Sequence, residues 1–200
     1  DEGPLLAIKT INGDNRQGDR ERVRYLAAQR PDIVLIEEYL ESGQRLALLA
    51  ECEAYVSLHR SEGYGLTMAE AMAFGRPVIA TGYSGNVDFM STEDSVLVPF
   101  ELVPTVESKT YPYKSRWADP ELAVAAAAMR RAHLDPEWAS ALGERARHAA
   151  ALHCSTAGTA KFMAQRVAVA MAAGGRRPTP AGPGRLAESK GKLKAKLSSA

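Results

Sequence analysis

Short apolar runs alternate with amphipathic stretches along the first half of the chain. The apolar, β-prone runs are 5–11, 32–36, 54–58, 77–81 and 95–98. Between them, residues 16–30, 42–52 and 66–74 space their apolar positions as one face of a helix does. Strands that alternate with helices at this spacing predict βαβ units and a parallel, doubly wound sheet. The expected fold class is therefore α/β and Rossmann-like.

The second half of the chain follows a different pattern. Residues 103–120 contain three prolines and three aromatic residues, and we predict a long loop that the aromatic residues pin to the body. Ala-rich stretches then predict helices at 120–134, 136–152 and 155–172. After Gly174 the composition changes to Pro, Gly, Lys and Arg, which is typical of disorder. We therefore predict one domain over 1–173 and a disordered basic tail over 174–200.

The charge balance excludes one class of partner and leaves another open. Lys and Arg number 25 against 24 Asp and Glu, so the net charge of +1 argues against a dedicated nucleic-acid binder. Residues 174–200, however, hold seven basic residues and one acid. A basic tail of this kind is attracted to anionic membrane surfaces. The tail therefore has two interpretations. It could contact a membrane surface peripherally, or it could be a solvated, disordered end, which is the simpler interpretation.

Cysteine usage and hydropathy indicate the compartment. Cys52 and Cys154 lie far apart in an apolar, Ala-rich context, so we expect reduced thiols and neither a disulfide framework nor a metal cluster. No run of 18 apolar residues and no signal peptide is present. We predict a cytoplasmic protein, with the inner membrane face as a peripheral option. The chain begins at Asp1 with a strand almost at once, and we expect it to be part of a longer sequence.

The chemistry is concentrated in the segment Ser61–Ala73, which follows a strand and opens a helix. Gly63 and Gly65 let the backbone approach a ligand closely, and unpaired amides at a helix start suit a phosphate or diphosphate. Glu70 lies one turn inside the helix among apolar neighbours, where the two hydroxyls of a ribose would satisfy its oxygens. Glu62 could accept hydrogen bonds from the hydroxyls of a second sugar beyond the phosphates. The alternative is that Glu70 bonds to loop amides and Glu62 is a solvated charge.

The same residues carry a resemblance to a known family. Glu62 and Glu70 have Glu-x7-Glu spacing, and a Gly-x-Pro-Val-Ile-Ala strand follows at 75–80. In these features the chain resembles the family-4 (group 1) retaining glycosyltransferases of the GT-B fold, over roughly residues 5–150. The resemblance implies the C-terminal, donor-binding half of a two-domain enzyme that uses a nucleoside-diphosphate sugar.

The resemblance also implies roles for individual residues. Glu70 would hold the nucleotide ribose, and Glu62 would contact the donor sugar as the catalytic residue of this half. The backbone of residues 63–66 (Gly63, Tyr64, Gly65 and Leu66) would face the sugar and its diphosphate. The Arg and Lys pair that the family supplies from the region just before this chain begins is not found here, and Lys9, at a strand end, cannot be equated with it. His59 and Arg60 directly precede the motif and could line the cleft. Lys9 and His59 are nevertheless candidates for the donor site. The alternative is that each has only a structural role.

The expected reaction moves a hexose to a glycan, lipid or other acceptor, which a missing N-terminal domain would bind. No motif requires a metal or another cofactor. We expect this chain alone to bind nucleotide weakly, to transfer little, and to self-associate through its open interdomain face. Two alternatives stay open: a nucleotide-sugar epimerase of the same fold, and a non-catalytic nucleotide-binding or interaction module.

Overall fold

The computed structural model describes residues 3–105 and 114–172 of the chain. Its strands are β1 (Leu6–Lys9), β2 (Ile33–Ile36), β3 (Tyr55–Ser57), β4 (Val78–Thr81), β5 (Val96–Val98), β6 (Phe100–Pro104) and β7 (Arg116–Pro120). Its helices are α1 (Gln17–Ala28), α2 (Ser42–Glu51), α3 (Leu66–Ala73), α4 (Leu122–Leu134), α5 (Pro136–His153) and α6 (Thr156–Ala172). The five strands and six helices that the sequence predicts all form within a few residues of their expected bounds.

The first five strands pair only in parallel, as predicted, but they form two sheets instead of one. β1 pairs with β2, while β4 lies between β3 and β5 in a second sheet. Within the described ranges, no strand pairs with the remaining edges of β1 and β3. The exposed Leu6 and Val34 show that the smaller sheet is only partly covered. The parallel pairing confirms the α/β prediction.

Helices cover both faces of the larger sheet, because alternate residues of a strand point to opposite sides. β4 is fully buried. Val78 and Ala80 belong to a cluster with apolar residues of α2, α3 and α5. Ile79 packs on the other face against Ala125 of α4. Burial on both faces explains why β4 is a continuous apolar run without polar alternation.

The expected loop at 103–120 is wrong at both ends, because residues 103–104 and 116–120 lie in strands, while residues 106–113 are outside the described ranges. β6 and β7 form an antiparallel hairpin, in which Phe100 lies opposite Pro120 and Pro104 opposite Arg116. Prolines are tolerated at the ends and edges of strands, where no ladder bond needs their missing N–H, so they did not exclude this hairpin. Trp117 lies in β7 and contacts Arg60, whose guanidinium carbon is 5.1 Å from the centre of its ring. Tyr111 and Tyr113 lie outside the described residues.

Residues 1–155 form one compact unit and residues 156–200 a second, of which α6 is described. α6 has no buried residue, and the apolar side chains of Phe162, Met163 and Met171 are exposed. The predicted disordered tail, 174–200, lies outside the described residues, and the predicted domain limits stay a prediction. None of the described helices is both long and apolar enough to cross a membrane.

Candidate functional site

The motif segment joins β3 to α3 at the carboxyl end of the larger sheet, where parallel α/β folds bind ligands. Gly65 precedes α3 in a left-handed conformation with φ of 99°, and no side chain caps the helix. A Cβ at Gly65 would lie 2.8 Å from Met68 Cε and 3.3 Å from Asn86 Cβ. Both the backbone angle and the packing therefore require glycine here.

The motif loop is attached to the turn after β4. The carbonyl of Glu62 accepts from the Ser84 hydroxyl at 2.6 Å and from the Gly85 amide at 3.2 Å. A Cβ at Gly85 would lie only 2.1 Å from the carbonyl oxygen of Gly63. At Gly63 itself, a Cβ would meet nothing within 4 Å. The turn thus supports the loop from one side and leaves the Gly63 side open.

The two glutamates of the motif have different partners. The Glu62 carboxylate accepts from the amide of the next residue, Gly63, at 2.9 Å. Glu70 forms a two-pronged ion pair with Arg45 of α2, in which Nη2 is 3.0 Å from Oε1 and Nη1 contacts Oε2. The Glu70 side chain is 31% exposed. Glu70 therefore pairs with a cation instead of the loop amides of the simpler interpretation, while the Glu62 carboxylate has a local bond to the next residue.

Arg45 is the residue that the sequence reasoning missed. It lies in the early part of α2, where the helix dipole disfavours a cation unless something offsets it. Its hydrogen bond to Glu70 raises the pKa of Arg45 above the ordinary guanidinium value, while partial burial opposes the increase. A cation near a helix start was the available signal, but its partner is 25 positions away.

Tyr64 connects the motif loop to neighbouring elements. Its ring lies against Phe89, with 5.0 Å between the ring centres. Its hydroxyl donates to the Cys154 thiol at the end of α5 over 3.6 Å, and this hydrogen bond raises the pKa of Tyr64. Tyr64, Leu66 and Glu70 line one wall of a cleft of about 470 Å³ between α3 and α5. A cleft of this volume lies within the range of small-molecule sites.

His59 and Lys9 both make structural contacts. His59 Nε2 is 3.0 Å from the carbonyl oxygen of Tyr83, and Nδ1 is 3.1 Å from the Ser57 hydroxyl. The carbonyl can only accept, so Nε2 carries a proton there. Lys9 ends β1 and donates to the carbonyl of Thr10 at 3.0 Å. These contacts hold both residues at strand ends, and their roles in donor binding stay predictions.

Asn86 supports the turn that follows β4. It lies inside the short 3-10 turn Gly85–Asp88 and is fully buried. Its Nδ2 donates to the carbonyl of Thr81 at 3.0 Å, which ties this turn to the end of β4. The side chain therefore supports the turn that carries Gly85.

The remaining histidines lie on the surface of the helices. His133 and His153 lie at helix ends and His148 on α5, and all three are exposed. Among the residues described, no group of three or more His, Cys, Asp and Glu side chains is arranged to hold a metal ion.

Comparison with known proteins supports the same chemistry. Residues 9–106 match the model of the family "Glycosyl transferases group 1". This stretch, just under half of the chain, includes both glutamates, Arg45 and the Gly63–Gly65 loop. The stretch is similar to a group 1 glycosyltransferase domain, and glycosyl transfer is the general chemistry of that family. No curated protein matches the sequence.

Solved structures match the fold. The chain is similar to sucrose-phosphate synthase from Thermosynechococcus elongatus, with a TM-score of 0.61 and 22% identity. The match covers 84% of this chain and 39% of that structure. The chain therefore spans well under half of the protein it resembles, and at this identity the likeness concerns the fold. It confirms the prediction of a GT-B fold.

Proposed function

We propose that this chain is the donor-binding half of a retaining glycosyltransferase that transfers a hexose from a nucleoside-diphosphate sugar. One observation carries the proposal. An open glycine loop, a helix start without a side-chain cap and two glutamates occur together at the carboxyl end of a parallel sheet. Amides at such a helix start suit a diphosphate, and carboxylates suit sugar hydroxyls.

Each part of the loop has a role in the proposed reaction. Glu70 binds the ribose hydroxyls, and Glu62 turns from the Gly63 amide to orient the donor sugar. The amides of residues 63–66 then stabilise the diphosphate as the bond between it and the anomeric carbon breaks. The acceptor hydroxyl, held by a domain outside this chain, forms the new bond on the same face of the sugar. Its proton passes to the departing diphosphate oxygen.

The ribose role of Glu70 is tested by calorimetric titration of the chain with UDP, GDP and ADP. We expect one nucleotide to bind more tightly than the others, and Glu70→Gln to weaken that binding. Loss of a charged hydrogen bond costs about 1.5–3 kcal/mol, which is more than tenfold in affinity. Glu21→Gln is the matched control, because Glu21 also pairs with an arginine, Arg24, but on α1. Unchanged affinity in Glu70→Gln would contradict the ribose role.

The type of reaction is tested separately, with the donor sugar and no acceptor. A transferase half leaves the sugar of the donor unchanged under these conditions, whereas an epimerase of the same fold converts it. NMR of the anomeric proton distinguishes the two outcomes. Conversion of the sugar without acceptor would replace the transferase proposal with the epimerase alternative.

A further inference from the structure

The Arg45–Glu70 pair joins α2 and α3, two helices that are separated in the sequence by β3 and the motif loop. Each terminal guanidinium nitrogen of Arg45 donates to one oxygen of the Glu70 carboxylate, Nη1 to Oε2 and Nη2 to Oε1. This two-pronged geometry fixes the plane of the carboxylate, which a single contact from a lysine would not do. The side chains are 37% and 31% exposed, so the oriented carboxylate can still be reached by a ligand.

The pair leaves room for a ligand. An ionised carboxylate offers roughly four lone-pair positions, and the guanidinium of Arg45 uses two of them. The remaining positions can accept from two vicinal hydroxyls in the plane that Arg45 sets. Glu70 therefore has a fixed cation on one side and free acceptor capacity on the other.

We propose that Arg45 is a positioning residue for the nucleotide, holding the Glu70 carboxylate in the orientation that accepts both ribose hydroxyls. The proposal rests on the proposed function, because it assumes that Glu70 binds ribose. Arg45 acts through Glu70 and need not touch the ligand. Arg45 already restricts the Glu70 side chain in the unliganded protein. Without Arg45, Glu70 would be restricted only when the nucleotide binds, and the lost rotamer entropy would lower the affinity.

The test uses a nucleoside diphosphate and its 2′,3′-dideoxy counterpart, which lacks both hydroxyls. We expect Arg45→Met to weaken binding of the ribonucleotide by about three- to tenfold, which is the cost of ordering one free side chain on binding. Binding of the dideoxynucleotide stays within about twofold, since that ligand makes no use of Glu70. Arg45→Lys recovers part of the loss, because it keeps the charge but not the two-pronged geometry.

The control is Arg30→Met. Arg30 forms an equally two-pronged pair with Asp32, at 2.9 and 2.5 Å, on the α1–β2 connection. We expect this variant to bind both nucleotides as the original chain does. Thermal unfolding of every variant shows whether the fold is kept.

The possible results separate the two proposals. An equal loss for both nucleotides in Arg45→Met would mean a general structural role and would overturn the positioning proposal. Unchanged binding in Arg45→Met, with a ribose-specific loss in Glu70→Gln, would overturn it and leave the proposed function standing. Equal affinity of the original chain for both nucleotides, or no binding at millimolar concentration, would overturn the ribose role of Glu70 and with it the role of Arg45.

Discussion

Two glycines beside the motif loop should respond to substitution in opposite ways. A Cβ at Gly85 would lie 2.1 Å from the Gly63 carbonyl oxygen, whereas a Cβ at Gly63 would meet nothing within 4 Å. Gly63 also has no positive φ, so its backbone accepts alanine. We therefore expect Gly85→Ala to destabilise the fold and Gly63→Ala to leave it intact.

The magnitude for Gly85→Ala follows from its contacts. The motif loop must move by roughly 1 Å to restore an ordinary carbon–oxygen distance. Such overpacking costs about 1–3 kcal/mol. The movement also weakens the bonds from Ser84 and Gly85 to the Glu62 carbonyl, each worth about 0.5–1.5 kcal/mol. If both bonds are lost, these costs sum to about 2–6 kcal/mol, which lowers the melting temperature by on the order of 10 °C.

For Gly63→Ala, the free energy of unfolding should stay within about 0.5 kcal/mol of the original value. Nucleotide binding should nevertheless weaken, because the new methyl group occupies the open side of the loop that the diphosphate approaches. Urea unfolding followed by circular dichroism measures stability, and calorimetry measures binding. An unaltered stability for Gly85→Ala would refute the described attachment of the loop. A Gly63→Ala variant that binds nucleotide normally would show that the ligand does not approach from this side.

Three further predictions concern the core, the support of the loop and pH. Met68→Ala removes a fully buried side chain and should lower the free energy of unfolding, measured in urea, by about 2–5 kcal/mol. The same substitution at an exposed methionine should leave it almost unchanged. Asn86→Ala removes a buried hydrogen bond to the Thr81 carbonyl, which keeps the bond from the Tyr83 amide, and should cost about 0.5–1.5 kcal/mol by the same assay; a neutral result would contradict this role. The hydrogen bond from Arg24 lowers the pKa of Glu37, so the ionised Glu37 side chain stabilises the fold. This stabilisation is fully present above the ordinary glutamate pKa and is lost as the pH falls through the lowered value. Urea midpoints between about pH 5 and 3 should therefore fall less steeply in Glu37→Gln, and identical slopes would contradict the prediction.

Much of the fold was predictable because its signals are local. The apolar runs that became β1 to β5 and the periodic stretches that became the helices depend on residues a few positions apart. The Gly63–Gly65 loop was also predictable, since it lies between a strand and a helix within one short segment. The hairpin of β6 and β7 was missed because its strands pair across an intervening segment, and prolines at their ends indicated a loop.

The candidate site depends more on tertiary structure. The sequence by itself determined which residues stand at the carboxyl ends of the strands, including Glu62 and Gly65, since strand and helix bounds follow from local pattern. Only the fold decided that Arg45 meets Glu70, and that Gly85 supports the motif loop. These contacts join residues more than twenty positions apart, and their geometry depends on how helices and turns pack. No local periodicity encodes that packing, because it results from the burial of both faces of β4.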